Sequence, residues 1–315
     1  MVMLSRRHLR IKVFQVLFAA HQNPDLGIRQ AEKTLRKAIE DIYRLYLYEL
    51  RMLAELQKQA VEIIEKRKIR KLPQPEDLQP NYKFVQNAFL SWLNNHPLLL
   101  VQWEEHHIQL GEDRERLRKI YLEIEGDERF RTYMQSSKQD LSEDKGMVKY
   151  LYARFLTHDE ALHQSYEDRS IFWADDLDAA QMMVTKTLKS FAAQTPAEGG
   201  LTELIKDEED LDFAMALFRK CWLEGKDFEE RIRNKAENWE TERIALVDIV
   251  LMKMGLAELV SFTQIPVKVT LNEYIELAKE YSTPKSGVFV NGILDKLKEE
   301  MLKSGEIRKI GRGLI

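Results

Sequence analysis

The amino-acid sequence predicts an all-α fold. Turn-forming residues are scarce, with 13 glycines and 8 prolines among 315 residues, against the roughly 12% that average usage supplies. Apolar residues recur at helical intervals. Leu9, Val13, Val16, Leu17 and Ala20, for example, share one face at about 100° per residue. The single strand-like run, Val267 to Leu271, is short and has no partner in sequence.

The elements follow in order. Residues 3–21 read as a first helix, stopped by Asn23-Pro24-Asp25. A long second helix runs from near Leu26 to about Arg70, with Tyr43, Tyr46, Leu47 and Leu50 as its apolar stripe. Its end carries Lys66-Arg67-Lys68 and Arg70-Lys71, where positive charge suits the helix dipole. Pro73, Pro75 and Pro80 mark a loop. Several helices are expected over 82–195, with breaks near Asn94–Pro97, Gly111, Gly126 and Gly146. Thr195–Gly200 reads as a second loop and a natural boundary. Helices then resume over 208–223, 226–236 and 239–260. Thr270 and Glu273 form a capping-box pattern, and Thr283-Pro284 places proline at a first helical position. Ser304-Gly305 ends the last helix before a basic tail with Arg308, Lys309 and Arg312, whose Gly311 and Gly313 are expected to fray.

The bulk numbers restrict function. A hydrophobic content of 44% supports a sizeable core, but the net charge of -4 gives no global attraction to nucleic acid, so any such site must be a local basic patch. The lone Cys221 excludes an internal disulfide and sits in an apolar helical stretch, as a core residue. The five tryptophans also read as core. No apolar run reaches the roughly 18 residues of a membrane-spanning helix, and the arginine-bearing N-terminus is no signal peptide. A cytoplasmic location is expected. His158 and His163 stand five apart, where metal binding on a helix needs four. No phosphate-cradling glycine loop is present. No catalytic residue, metal or cofactor is expected.

Two segments carry information. No acidic residue precedes Asp25, and the opening holds Arg6, Arg7 and Arg10. On a helical wheel Arg7, Ile11, Phe14 and Phe18 form one stripe. Guanidinium groups beside rings suit single-stranded RNA, neutralising phosphates and stacking bases for roughly 1–3 kcal/mol each. On composition alone, a solvated helix end with both phenylalanines buried is the favoured alternative. The second segment, 239–303, by periodicity says only that helices pack there.

That second segment contains Pro266-x-Lys268-Val269-x-x-Asn272-Glu273-x-x-Glu276-Leu277-Ala278-Lys279, then Phe289-Val290-Asn291-Gly292-x-Leu294-Asp295-Lys296. Upstream lie Asn238-Trp239, Arg243-Ile244, Lys253 and Glu258-Leu259, and the chain opens on Arg6-Arg7-x-x-Arg10 with Gln15-x-Leu17-Phe18. Together these resemble the NusB family. The resemblance covers about 1–40 and 207–303. It implies a helical bundle of two packed subdomains, one of 1–40 with 207–237 and one of 238–303, interrupted by a helical insertion over 41–206 and followed by a tail of 304–315.

The resemblance also implies function. NusB proteins bind the boxA element of nascent ribosomal RNA with NusE, a small-subunit ribosomal protein, within the RNA polymerase antitermination complex, without catalysis or cofactor. It assigns RNA contacts to Arg6, Arg7, Arg10, Gln15, Phe18, Phe289 and Asn291, with Phe18 where tyrosine is frequent. Asn291 and Gly292 have an alternative reading as helix-packing residues. It assigns partner contacts to Asp248 and Lys253, with lysine standing where arginine is usual. An internal ion pair is the alternative for Lys253. Lys285 and Val288 depart from the family's charge pattern. Pairing of two copies through the partner surface is also compatible with the family. The competing readings are a helical protein–protein scaffold without RNA binding and, since such domains occur fused to RNA methyltransferases, an enzyme.

Overall fold

The computed structural model of the chain describes residues 5–23, 25–138, 140–192, 200–203, 208–236 and 244–314. Among these there are fourteen α-helices and no strand. They are α1 (Arg6–Gln22), α2 (Ile28–Lys68), α3 (Pro75–Leu78), α4 (Ala88–Asn95), α5 (Pro97–Glu105), α6 (Asp113–Glu125) and α7 (Glu128–Gln135). Then follow α8 (Leu141–Leu151), α9 (Glu160–Arg169), α10 (Trp173–Ser190), α11 (Glu208–Ala236), α12 (Leu246–Ser261), α13 (Val267–Tyr281) and α14 (Ser286–Lys303). No helix among the described residues is long and apolar enough to cross a membrane. Most of the Thr195–Gly200 loop, and Asn238, Trp239 and Arg243, lie outside the described residues.

The chain divides into two compact units, residues 1–39 with 205–315 and residues 40–204. In the first unit α12 is the central helix. Ile249 to Met252 and Met254 to Leu259 are all buried, as expected of a helix that is apolar all round. Around it pack α1, α11, α13 and α14. Gly255 sets the spacing, because a Cβ there would lie 3.2 Å from Leu294 of α14 and 3.3 Å from Tyr274 of α13.

Several boundaries differ from expectation for identifiable reasons. The expected pair of helices 208–223 and 226–236 is one helix, α11. Gly225 lies inside it because Lys253 passes so close that an added Cβ would meet its Cε at 3.0 Å. Thr270 does not cap α13 but lies buried within it and donates its hydroxyl to Glu258 at 2.9 Å. Pro284 precedes α14 by two residues, and the turn is closed by Ser286, whose hydroxyl accepts from the Thr283 amide at 3.2 Å. The tail does not fray. The Ile310 amide donates to the Thr263 carbonyl at 3.1 Å, and Gly313 is buried so tightly that a Cβ would collide with that same carbonyl oxygen.

In the second unit the apolar stripe of α2 is buried, including Tyr46, Leu47 and Leu50. The Trp103 indole donates to the Leu47 carbonyl at 2.9 Å, and Arg67 grips Glu125 through two nitrogens at 2.6 and 2.5 Å. Glu49 is fully buried and accepts from the hydroxyls of Tyr152 at 2.6 Å and Tyr166 at 2.8 Å. Tyr152 opens a π-helical turn, Tyr152–Leu156. Trp92, half-buried, stacks on Phe89, and Trp173 is buried.

Gly146 was expected to break a helix. It lies within α8, and nothing stands within 4 Å of where its Cβ would be. Gly146→Ala is therefore expected to stabilise the chain by about 0.5–1 kcal/mol, through helix propensity and a less flexible unfolded chain. A urea midpoint that stays put or falls would show that the glycine serves another purpose.

Candidate nucleic-acid interface

Helix α1 starts at Ser5, whose amide donates to His8 Nδ1 at 3.2 Å. Its first turns then carry the three arginines into three different environments. Arg6 is exposed, its guanidinium 5.2 Å from the centre of the Phe213 ring and 4.0 Å from Asp210. Phe213 in turn meets Phe262 at 4.7 Å between ring centres. Arg7 is half-buried, bound to Glu280 at 2.8 Å with Glu273 at 3.8 Å.

Arg10 was expected on the same open face, but only 3% of it is exposed. It is directed inward onto Glu258 of α12, which is fully buried, through a two-pronged contact of 2.8 and 2.7 Å. Glu258 also accepts from the hydroxyls of Thr270 at 2.9 Å and Tyr274 at 2.9 Å. Each carboxylate oxygen thus takes two hydrogen bonds. Burial pulls the Arg10 pKa down, but the hydrogen bonds and charge of Glu258, with smaller contributions from Tyr274 and Glu273, more than offset it, and the net shift is upward. Burial raises the Tyr274 hydroxyl well above its usual range, and the charge of Glu258 adds to this. The quartet ties α1 to α12 and α13.

The aromatic stripe divides in the same way. Ile11 and Phe14 are buried, and Phe14 lies 5.3 Å from Tyr281 of α13 and 5.9 Å from Phe18. Phe18 is half-buried. Gln15, also half-buried, accepts from Lys12, whose side chain is fully enclosed, at 3.1 Å. Phe289 and Asn291 are both half-buried on α14. Two residues on a helix are about 200° apart, so they address different directions. Asn291 opens into a cleft bounded by α13 and the C-terminal turn.

Asp248 and Lys253 are held internally. Asp248 is 5% exposed and accepts from the Ser286 hydroxyl at 2.9 Å through one oxygen, while its other oxygen is buried with no hydrogen-bond partner. Lys253 pairs with Glu229 of α11 at 3.3 Å. Glu258, Thr270, Tyr274 and Phe213 are not among the site residues expected from sequence, although Glu258 belongs to the family-like pattern and Thr270 to the capping-box pattern. The signal for the first was present, since an acid inside the apolar run Leu256-Ala257-Glu258-Leu259 must be neutralised.

Comparison with known proteins bears on this interface. The model of the NusB family matches residues 174–299. A transcription antitermination protein NusB from Salinibacter ruber is 40% identical over 142 residues, covering 43% of this chain and 89% of that protein. Proteins of the same name from Chloroherpeton thalassium and Natranaerobius thermophilus are 36% and 37% identical over 138 and 76 residues. The first covers 44% of this chain and 65% of that protein, the second 24% and 55%. No solved structure matches the chain.

Proposed function

This chain belongs to the NusB family, and on that premise we propose that it is an RNA-binding transcription antitermination factor. It acts on a boxA-like ribosomal RNA leader together with NusE, within an RNA polymerase complex and without catalysis. The observation that carries this reading is the 40% identity to a named antitermination protein over 89% of that protein's length. The exposed basic start of α1 is consistent with it.

In this proposal Arg6 and Arg7 contact phosphate, and Gln15, Phe18, Phe289 and Asn291 line the RNA. Arg10 acts by holding α1 against α12. Asp248 acts on the partner side indirectly, by holding the start of α14 through Ser286, and Lys253 supports that surface through Glu229. Residues 40–204, the second compact unit, carry none of the residues assigned these contacts.

Arg7 is already bound by Glu280 and flanked by Glu273, so a phosphate has to displace a carboxylate. Two substitutions therefore have opposite signs. Arg7→Ala is expected to weaken binding of a boxA-type RNA several-fold and to lower the salt slope by about 0.7, the value for one phosphate contact on a single strand. Glu280→Gln is expected to tighten binding by freeing the guanidinium. Fluorescence anisotropy with boxA-type and scrambled RNA, with and without NusE, measures both. Equal affinity for the two RNAs under all conditions refutes the RNA reading and leaves the protein–protein scaffold, which the carboxylates around Arg7 favour.

A further inference from the structure

Helices α13 and α14 and the C-terminal 3-10 turn, Gly311–Leu314, enclose a cleft of about 590 Å³. Its polar lining is Lys268 and Asn272 from α13, Asn291, Asp295 and Lys298 from α14, and Lys309 from the segment leading to the turn. Three cations face one carboxylate. Lys268 is exposed on the first turn of α13. Lys298 pairs with Asp295 at 2.7 Å. Lys309 reaches back to the Phe262 carbonyl at 2.9 Å, and burial lowers its pKa, so this ammonium is partly desolvated.

The cleft depends on the tail being docked. Gly311 has a left-handed φ of +54°, a conformation that glycine adopts without strain. Gly313 lies where no side chain fits. These two residues let the turn lie against Thr263, in a cleft that Lys309 lines together with Lys298. Residues 304–314 lie beyond the 174–299 span matched by the family model.

We propose that this cleft binds the phosphodiester backbone of single-stranded RNA, extending the interface from Asn291 across Lys298, Lys268 and Lys309. The proposal rests on the RNA-binding reading above. Charge complementarity selects a polyanion. The two asparagine amides supply neutral donors and acceptors for sugar hydroxyls and base edges. Asn291, which the proposed function assigns to the RNA, lines this cleft, and that shared residue selects RNA over an acidic peptide.

The test is anisotropy of a labelled boxA-type single-stranded RNA titrated with the full chain at several salt concentrations. The double variant Lys268→Ala/Lys298→Ala is expected to weaken binding several-fold and to lower the salt slope by about 1.4, two single-strand phosphate contacts. Asp295→Asn, which releases Lys298, is expected to tighten binding. Lys303→Ala, an exposed lysine outside the cleft, is expected to change neither beyond the small effect of net charge. Circular dichroism checks that each variant is folded. Unchanged affinity and slope in the double variant overturn the proposal, while a surviving effect of Arg7→Ala keeps the RNA reading of α1. If the unsubstituted chain binds no RNA, both fall. If RNA binding is unchanged but a labelled poly-glutamate peptide loses binding in the double variant, the cleft is a protein site and the RNA proposal is overturned.

Discussion

Arg10→Ala is expected to destabilise the first unit by about 3–5 kcal/mol, the range for removing one partner of a buried ion pair. Its guanidinium supplies two of the four hydrogen bonds on Glu258 and is the cation bound directly to it. Without it a fully buried carboxylate keeps only two neutral hydroxyl donors, and the desolvation of the charge is uncompensated. Glu258→Ala is expected to cost a similar amount from the other side. The double variant Arg10→Met/Glu258→Gln removes both charges, nearly preserves volume and leaves an amide that accepts from one hydroxyl and donates to the other. It is expected to recover much of the loss, because replacing a buried pair outright costs far less than breaking it.

Urea unfolding of the parent, Arg10→Met, Glu258→Gln and Arg10→Met/Glu258→Gln gives a double-mutant cycle. A coupling energy near zero would remove the quartet as the feature that seats α1. The same set separates positioning from direct contact. If Arg10 only holds α1 in place, RNA affinity falls in Arg10→Ala and returns in the double variant. If Arg10 touches RNA, the loss persists.

Glu49→Gln is expected to leave stability nearly unchanged at pH 5 and to raise it by roughly 2–3 kcal/mol at pH 8. Burial pushes the Glu49 carboxyl from 4.5 up to about 7, against the opposing pull of the Tyr152 and Tyr166 hydroxyls. The folded chain therefore holds this proton more tightly than the unfolded chain does. The contribution is fully present below pH 4.5 and is lost as pH rises through 7, where the carboxylate must ionise without a cation. A difference of 2.5 units corresponds to about 3 kcal/mol, and the wrong hydrogen-bonding pattern of the amide takes back part of it. Chemical denaturation at both pH values, followed through the near-ultraviolet signal of the tyrosines, measures it. A variant that is no more stable than the parent at pH 8 would mean that Glu49 is ionised in the folded state without penalty.

The all-α class was legible because glycine and proline scarcity and apolar periodicity are properties of local sequence. Breaks were legible where proline or asparagine acts locally, as at Asn23 and Pro97. They were misread at Gly146 and Gly225, because a glycine in a helix breaks nothing when a neighbour needs its space or when the surrounding turns hold it. The candidate interface was legible to the level of the element. The run Arg6, Arg7, Arg10 marks α1 as basic, but three arginines within five residues point in different directions. Which of them meets Glu258, Glu280 or Phe213 depends on helices more than 200 residues away in sequence.

From sequence alone came the helical class, the family and the basic character of the first helix. These rest on composition, periodicity and contiguous signatures, which need no knowledge of what packs against what. Only the tertiary structure decided that Arg10 is a buried anchor, that Lys253 belongs to Glu229, that Thr270 serves Glu258 and not a helix cap, and that the tail folds back to wall a basic cleft. In each case the outcome turns on desolvation. A charged or hydroxylic side chain removed from water takes whatever partner the fold brings within about 3 Å, and that partner comes from the packing of distant helices.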